Sequence, residues 1–169
     1  MKKLILAIFY IFLFSNSSNA LVEVDITRGN LNPLPIAVSP LYIEPGSKDI
    51  NQSGKIVKNV GEEISRIVEV NFRRSGLFNP LKKDSFVQNP DIAHLKPRFE
   101  DWKLIKAQAL VTGKVKVSDD KIRVEFRLWD VVAGKEMIAL AFSTAPANWR
   151  RVAHIISDKI YKRLTGEEG

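Results

Sequence analysis

Apolar and polar positions follow one another along this chain in periods that change from segment to segment, and each period predicts an element. Leu4 to Phe14 is unbroken apolar sequence, preceded by Met1-Lys2-Lys3 and succeeded by the small polar stretch Ser15 to Ala20. Basic start, apolar run and small residues at a cut site are the layout of a secretory signal peptide, and the run is well short of the roughly 20 residues that span a bilayer. Cleavage after Ala20 would start the mature chain at Leu21. From there the period becomes two: Val22, Val24 and Ile26 alternate with Glu23, Asp25 and Thr27, which predicts a half-buried strand over Leu21 to Thr27. Arg28-Gly29-Asn30 and the prolines 33 and 35 separate it from the next apolar run.

Ile36 to Val38 and Leu41 to Ile43 read as a more buried strand interrupted by Pro40, after which Pro45-Gly46 opens a polar loop to Ser53. The period then changes to that of a helix. Over Gly54 to Ser75, Ile56, Val60, Ile64, Ile67, Val68 and Phe72 recur at spacings of three and four; Gly76 closes the last turn, with Leu77 folding back on it. Pro80 bars continuation. Lys82 to Arg98 is mixed and polar and reads as connection, and Phe99 to Ile105 as a short helix turning Phe99 and Trp102 to the core.

Ala109 to Val117 puts Val111, Val115 and Val117 on one face and Lys114 and Lys116 on the other. After the turn 118–121, Ile122, Val124, Phe126 and Leu128 alternate with Arg123, Glu125, Arg127 and Trp129, so the two runs pair as a hairpin. Met137 to Phe142 is apolar throughout, which predicts a third strand buried on both faces. Asn148 is placed to cap a last helix whose stripe is Val152, Ile155, Ile156, Ile160 and Leu164, ended by Gly166. A mixed sheet carrying two long amphipathic helices buries all of these stripes.

Composition narrows the compartment and the chemistry. Removal of residues 1–20 leaves 149 residues, one ordinary domain, with 24 basic against 19 acidic side chains and a net charge of +5. There is no cysteine, so neither disulfides nor thiolate zinc sites are available. An exported basic domain meets little nucleic acid; its charge suits solubility, an anionic envelope surface or an acidic protein.

Catalytic signals are weak. His154, Ser157 and Asp158 can share a face of the last helix, but no Gly-x-Ser-x-Gly turn is present, and a regular helix offers no oxyanion hole, so the trio reads as a polar helix face. His94 with Asp91 and Glu100 is too sparse for a metal site, phosphate-binding glycine loops are absent, and Trp102, Trp129 and Trp149 suit packing better than ligand stacking. Catalytic, cofactor and metal residues are therefore set at none. The candidate site is the segment Leu21, Val22, Glu23, Val24, Asp25, Ile26 and Thr27, a terminal strand that can add to the edge of a partner's sheet or pair within its own domain.

Several stretches in order resemble one family. Arg73-Arg74-Ser75-Gly76-Leu77-Phe78-Asn79-Pro80, Phe99-x-x-Trp102, Ala109-Leu110-Val111-x-Gly113, Val124 through Asp130, Asn148 through His154, and Leu164-Thr165-Gly166-Glu167 are similar to the N-terminal domain of the TolB family, as is Ile26-Thr27-x-Gly29. The resemblance implies an α/β fold, anticodon-binding-domain-like, with a mixed sheet of about five strands flanked by two long helices. It also implies a periplasmic, non-enzymatic part of the Tol–Pal system, which links inner-membrane Tol proteins to the outer-membrane lipoprotein Pal and serves envelope integrity and outer-membrane constriction at division. In the family the extreme N-terminal segment contacts TolA, a role that falls here on Leu21 to Asn32. A β-propeller that binds Pal comes after the domain in the family, and this sequence carries no propeller. The expected organisation is a signal peptide over 1–20, a partner-binding strand and linker over 21–35, and the α/β domain over 36–169. The alternative function is a basic module that holds anionic lipid or cell-wall polymer through Arg73, Arg74, Lys82, Lys83, Arg150 and Arg151.

Overall fold

A computed structural model describes Val22 and residues 32–52 and 55–168. The signal-peptide assignment and, apart from Val22, the predicted strand from Leu21 to Thr27 lie outside the described residues. Strand β1 (Leu34–Val38) leads to a two-residue β2 (Tyr42–Ile43), the hairpin β3 (Ile50–Gln52) and β4 (Lys55–Val57), helix α1 (Val60–Ser75), and β5 (Phe78–Pro80). Short helices α2 (Pro90–Ala93) and α3 (Phe99–Leu104) precede the meander β6 (Ala109–Val117), β7 (Ile122–Asp130) and β8 (Lys135–Thr144), and α4 (Trp149–Thr165) comes last.

The main sheet runs β5-β1-β6-β7-β8, with β2 pairing on β6 beyond the end of β1. β1 is parallel to both β5 and β6, whereas β6, β7 and β8 are antiparallel, so the sheet is mixed. The hairpin register sets Val117 opposite Ile122 and Val115 opposite Val124, as the alternation requires. On one face Val111, Val115, Val124, Phe126 and Leu128 pack with Ile64, Val68 and Phe72 of α1 and Val152, Ile156, Ile160 and Leu164 of α4. Burying a side chain such as Phe126 contributes about 1.5–3 kcal/mol. On the other face Trp102, Ala37, Leu110 and Val131 form a smaller cluster under the segment before β6. Gln88 ties that segment down: its Oε1 accepts from Trp102 Nε1 (3.1 Å) and Arg98 N (2.9 Å).

Four expectations need correction. The helix predicted from Gly54 begins at Val60, because Asn59 caps it by accepting the Glu62 N–H at 3.2 Å; Lys55–Val57 belong to a hairpin instead. Ile56, assigned to the apolar stripe, is consequently 56 % exposed. The polar loop from Pro45 to Ser53 contains β3, whose Ile50 is in the core. Met137 to Phe142 is not buried on both faces. Ile138, Leu140 and Phe142 stand opposite Leu128, Phe126 and Val124 on the helix-covered face, with Ile138 and Phe142 half covered and Leu140 exposed, while Ala139 and Ala141 face solvent beside Arg127 and Glu125. β8 is an edge strand, and the helices reach only part of it. Pro80 does more than stop α1: Phe78–Pro80 is itself an edge strand, where a missing N–H is tolerated.

Candidate functional site

The predicted partner segment meets the body of the molecule at Val22. Its backbone N–H donates to Oδ2 of Asp130 at 2.8 Å, and its half-buried side chain packs against the main core. Asp130 is the last residue of β7 and is fully buried. Its other oxygen, Oδ1, accepts from Ala133 N at 2.8 Å and so caps the turn into β8, where Gly134 takes φ 65°. Among the described residues no ion pair involves Asp130, so these two N–H donors are what compensate its burial. A charge-assisted bond of this kind is worth about 1.5–3 kcal/mol.

Sequence reasoning missed Asp130, although a signal was present. It continues the row Ile122, Val124, Phe126, Leu128, so the period of β7 aims a carboxylate into the core, and such a group has to find donors. The remaining members of the candidate set, Leu21, Glu23, Val24, Asp25, Ile26 and Thr27, lie outside the described residues.

The helix-face trio does not assemble into a catalytic set. Ser157 is buried and its hydroxyl donates to Ala153 O at 3.0 Å, while His154 and Asp158 are exposed. Asn71 of α1 sits between helices, its Nδ2 at 2.9 Å from Ser157 Oγ and 3.0 Å from His154 Nδ1, so this polar set fastens α1 to α4. His94 stacks on Tyr42 with ring centroids 4.4 Å apart, and its Nδ1 is 2.9 Å from Pro90 O. Among the described residues no three His, Cys, Asp or Glu side chains are grouped to hold a metal ion. The tryptophans are separated: Trp149 lies in the helix-side core, Trp102 in the opposite cluster, and Trp129 donates to Thr112 Oγ1 at 2.9 Å.

The six basic residues of the alternative reading do not form one surface. Lys83 pairs with Glu69 at 3.3 Å near the C-terminal half of α1, where Arg73 also acts on Glu69, whereas Arg150 and Arg151 lie in the first turn of α4. On the open face of the sheet, Lys114 bridges Glu44 (2.6 Å) and Glu125 (3.7 Å), and Arg123 pairs with Glu125. The hydrogen bond from Lys114 holds the Glu44 carboxyl below its ordinary value. Among the described residues no helix is long and apolar enough to cross a membrane.

Known proteins share this arrangement. The family model of the TolB amino-terminal domain matches residues 22–137. The Tol-Pal system protein TolB of Pelagibacter ubique (strain HTCC1062) is 70% identical over 152 residues, which are 89% of this chain and 34% of that protein. The chain therefore spans about a third of that relative's length. The crystal structure of TolB from Acinetobacter baumannii superposes with a TM-score of 0.64 at 23% identity, covering 88% of this chain and 32% of that one. The lipoprotein GNA1162 from Neisseria meningitidis superposes with a TM-score of 0.51 at 17% identity, over 79% of this chain and 100% of its own. At such identities the two superpositions establish a shared fold.

Proposed function

The chain belongs to the TolB amino-terminal domain family, and from that premise we propose that it works in the periplasm as a non-enzymatic part of the Tol–Pal system. In this reading the segment Leu21 to Thr27 docks onto TolA by adding a strand to its sheet. Attachment to Pal belongs to a propeller outside this sequence, and contact with membranes is made through partners. The 70% identity to a Tol-Pal system protein TolB is the observation that carries the proposal. The residues supply the mechanism. Val22, Val24 and Ile26 give an added strand one apolar face, and its main-chain hydrogen bonds give affinity.

The bond between Val22 and Asp130 bears on how such docking is achieved. A tether worth about 1.5–3 kcal/mol can be outcompeted by the several main-chain bonds of a new strand pair, so the segment can rest on its own domain and still be recruited. Calorimetric titration of TolA into the protein and into a variant lacking residues 22–26 tests the proposal. Binding is expected to disappear in the deletion; unchanged affinity would remove the strand as the contact.

A further inference from the structure

The start of α4 is electrostatically unlike the start of α1. Helix N-termini favour negative charge, and α1 conforms, with Glu62 and Glu63 in its first turn and the Asn59 cap. The first turn of α4 contains no acid and instead holds Arg150 and Arg151, and the Asn148 side chain, placed to cap it, donates to Thr144 Oγ1 at 3.0 Å. The indole of Trp149 is 1% exposed, yet among the described residues its Nε1 has no hydrogen-bond partner.

Of these residues Trp149 and Arg150 line a cavity of about 340 Å³, where the N-terminal ends of α1 and α4 come together beside β4. Lys55 and Lys58 line one wall, Arg66 and Glu63 a second, and Trp149 and Arg150 a third. Glu63 is the sole carboxylate among those lining residues and is already engaged by Arg66 at 2.7 Å, so the wall keeps a positive excess. Its carboxyl is held below the ordinary value first by that hydrogen bond, against an opposing effect of burial, and further by the nearby charges of Arg66, Arg150 and Lys55. Beside them Ile56 is exposed, and among the described residues β4 pairs with β3 alone.

We propose that this cavity and the outer edge of β4, where no other described strand pairs, are a docking site for an extended acidic peptide segment of a partner protein. The segment pairs with the main chain of Lys55–Val57, covers Ile56 with an apolar residue, and sets its carboxylates against Lys55, Lys58, Arg66 and Arg150 and the positive ends of two helices. Ile56 and the strand edge favour a peptide over a small anion, which would satisfy the cations and leave both uncovered. The site is at the Ile122 end of β7, opposite the Asp130 end where Val22 is held, so it is separate from the contact proposed for TolA.

The test is an NMR titration of the purified protein with a short peptide alternating glutamate and valine. Saturable shifts are expected at the amides of 55–59 and at the Trp149 indole N–H. The exposed pair changed together, Lys55→Glu with Lys58→Glu, should bind about tenfold more weakly, and Lys58→Gln should fall between. Arg73→Glu with Arg74→Glu, at the other end of α1, should bind as before. Absence of saturation, equal loss in the Arg73/Arg74 variant, or undiminished binding in the lysine variants would each overturn the proposal. So would saturation of these resonances by inorganic phosphate or phosphatidylglycerol vesicles when the peptide produces none. Loss of residues 21–27 should leave the titration unchanged, which separates failure here from failure of the TolA reading.

Discussion

Two carboxylates, Asp130 fully buried and Glu69 partly buried, differ in how they are compensated. Among the described residues Asp130 accepts from two backbone donors, whereas the buried Oε1 of Glu69 faces the Lys83 ammonium at 3.3 Å. Burial, the largest influence, pushes the Glu69 carboxyl above its ordinary 4.5, with Lys83 opposing. A raised folded-state value stabilises the protonated form, so its contribution is present below about 4.5 and is lost as pH rises through the folded value. Glu69→Gln should therefore gain on the parent protein as pH increases from about 4 to about 7, measured by urea denaturation at each pH. A difference that stays flat across that range would show the carboxyl to be unperturbed. For Asp130→Asn, one oxygen becomes an NH₂ group facing an N–H donor. A loss of about 1–3 kcal/mol in unfolding free energy is expected, with faster amide exchange at Val22 or Ala133. No change in either exchange rate would mean that the carboxylate does not hold them.

Among the elements, α1 is positioned by contact so close that it excludes a side chain. A Cβ on Gly61 would lie 2.1 Å from Leu41 O, and the Gly61 carbonyl accepts from Leu41 N at 3.3 Å. Ser65, one turn on, donates to Ser39 O at 3.0 Å, so the segment between β1 and β2 is fastened along the helix. Gly61→Ala must push helix and strand apart despite alanine's better helix propensity. Destabilisation by about 2–4 kcal/mol is expected from denaturant melts, and a stabilised variant would refute the contact. Gly113 has the same role within the sheet: a Cβ there would be 2.2 Å from Glu125 O, which gives the glycine of the Val111-x-Gly113 motif a packing reason. The contact of Gly61 with Leu41 joins different elements that are not hairpin neighbours, so it could not be read from local periodicity.

For the molecule as a whole, the sheet is held between two long helices on one face and the segment before β6 on the other, and Val22 is outside both layers except for its contact with Asp130 and the core edge. Deleting residues 22–26 should leave a single cooperative thermal transition, lowered by less than about 10 °C. A broad or absent transition would make the N-terminal segment a structural part of the domain. Folding and partner binding would then be inseparable, and the TolA titration would need a point substitution in place of the deletion.

Local periodicity determined the elements whose faces see a uniform environment. The strands β6 and β7, their register, and the stripes of α1 and α4 with the closing glycines 76 and 166 at φ 73° and 79° were legible, because a side chain's face there is set by its position alone. The family was legible too, in motifs spread over most of the chain after the predicted signal peptide. Tertiary structure alone decided where an apolar residue is left uncovered: Ile56 is exposed because its segment joins a hairpin, and β8 is half bare because it lies at an edge. It also decided which polar groups meet, since Asp130 with Val22 and the cations around Trp149 come from segments distant along the chain. Period reports the direction in which a side chain points; what it finds there depends on the packing of the whole.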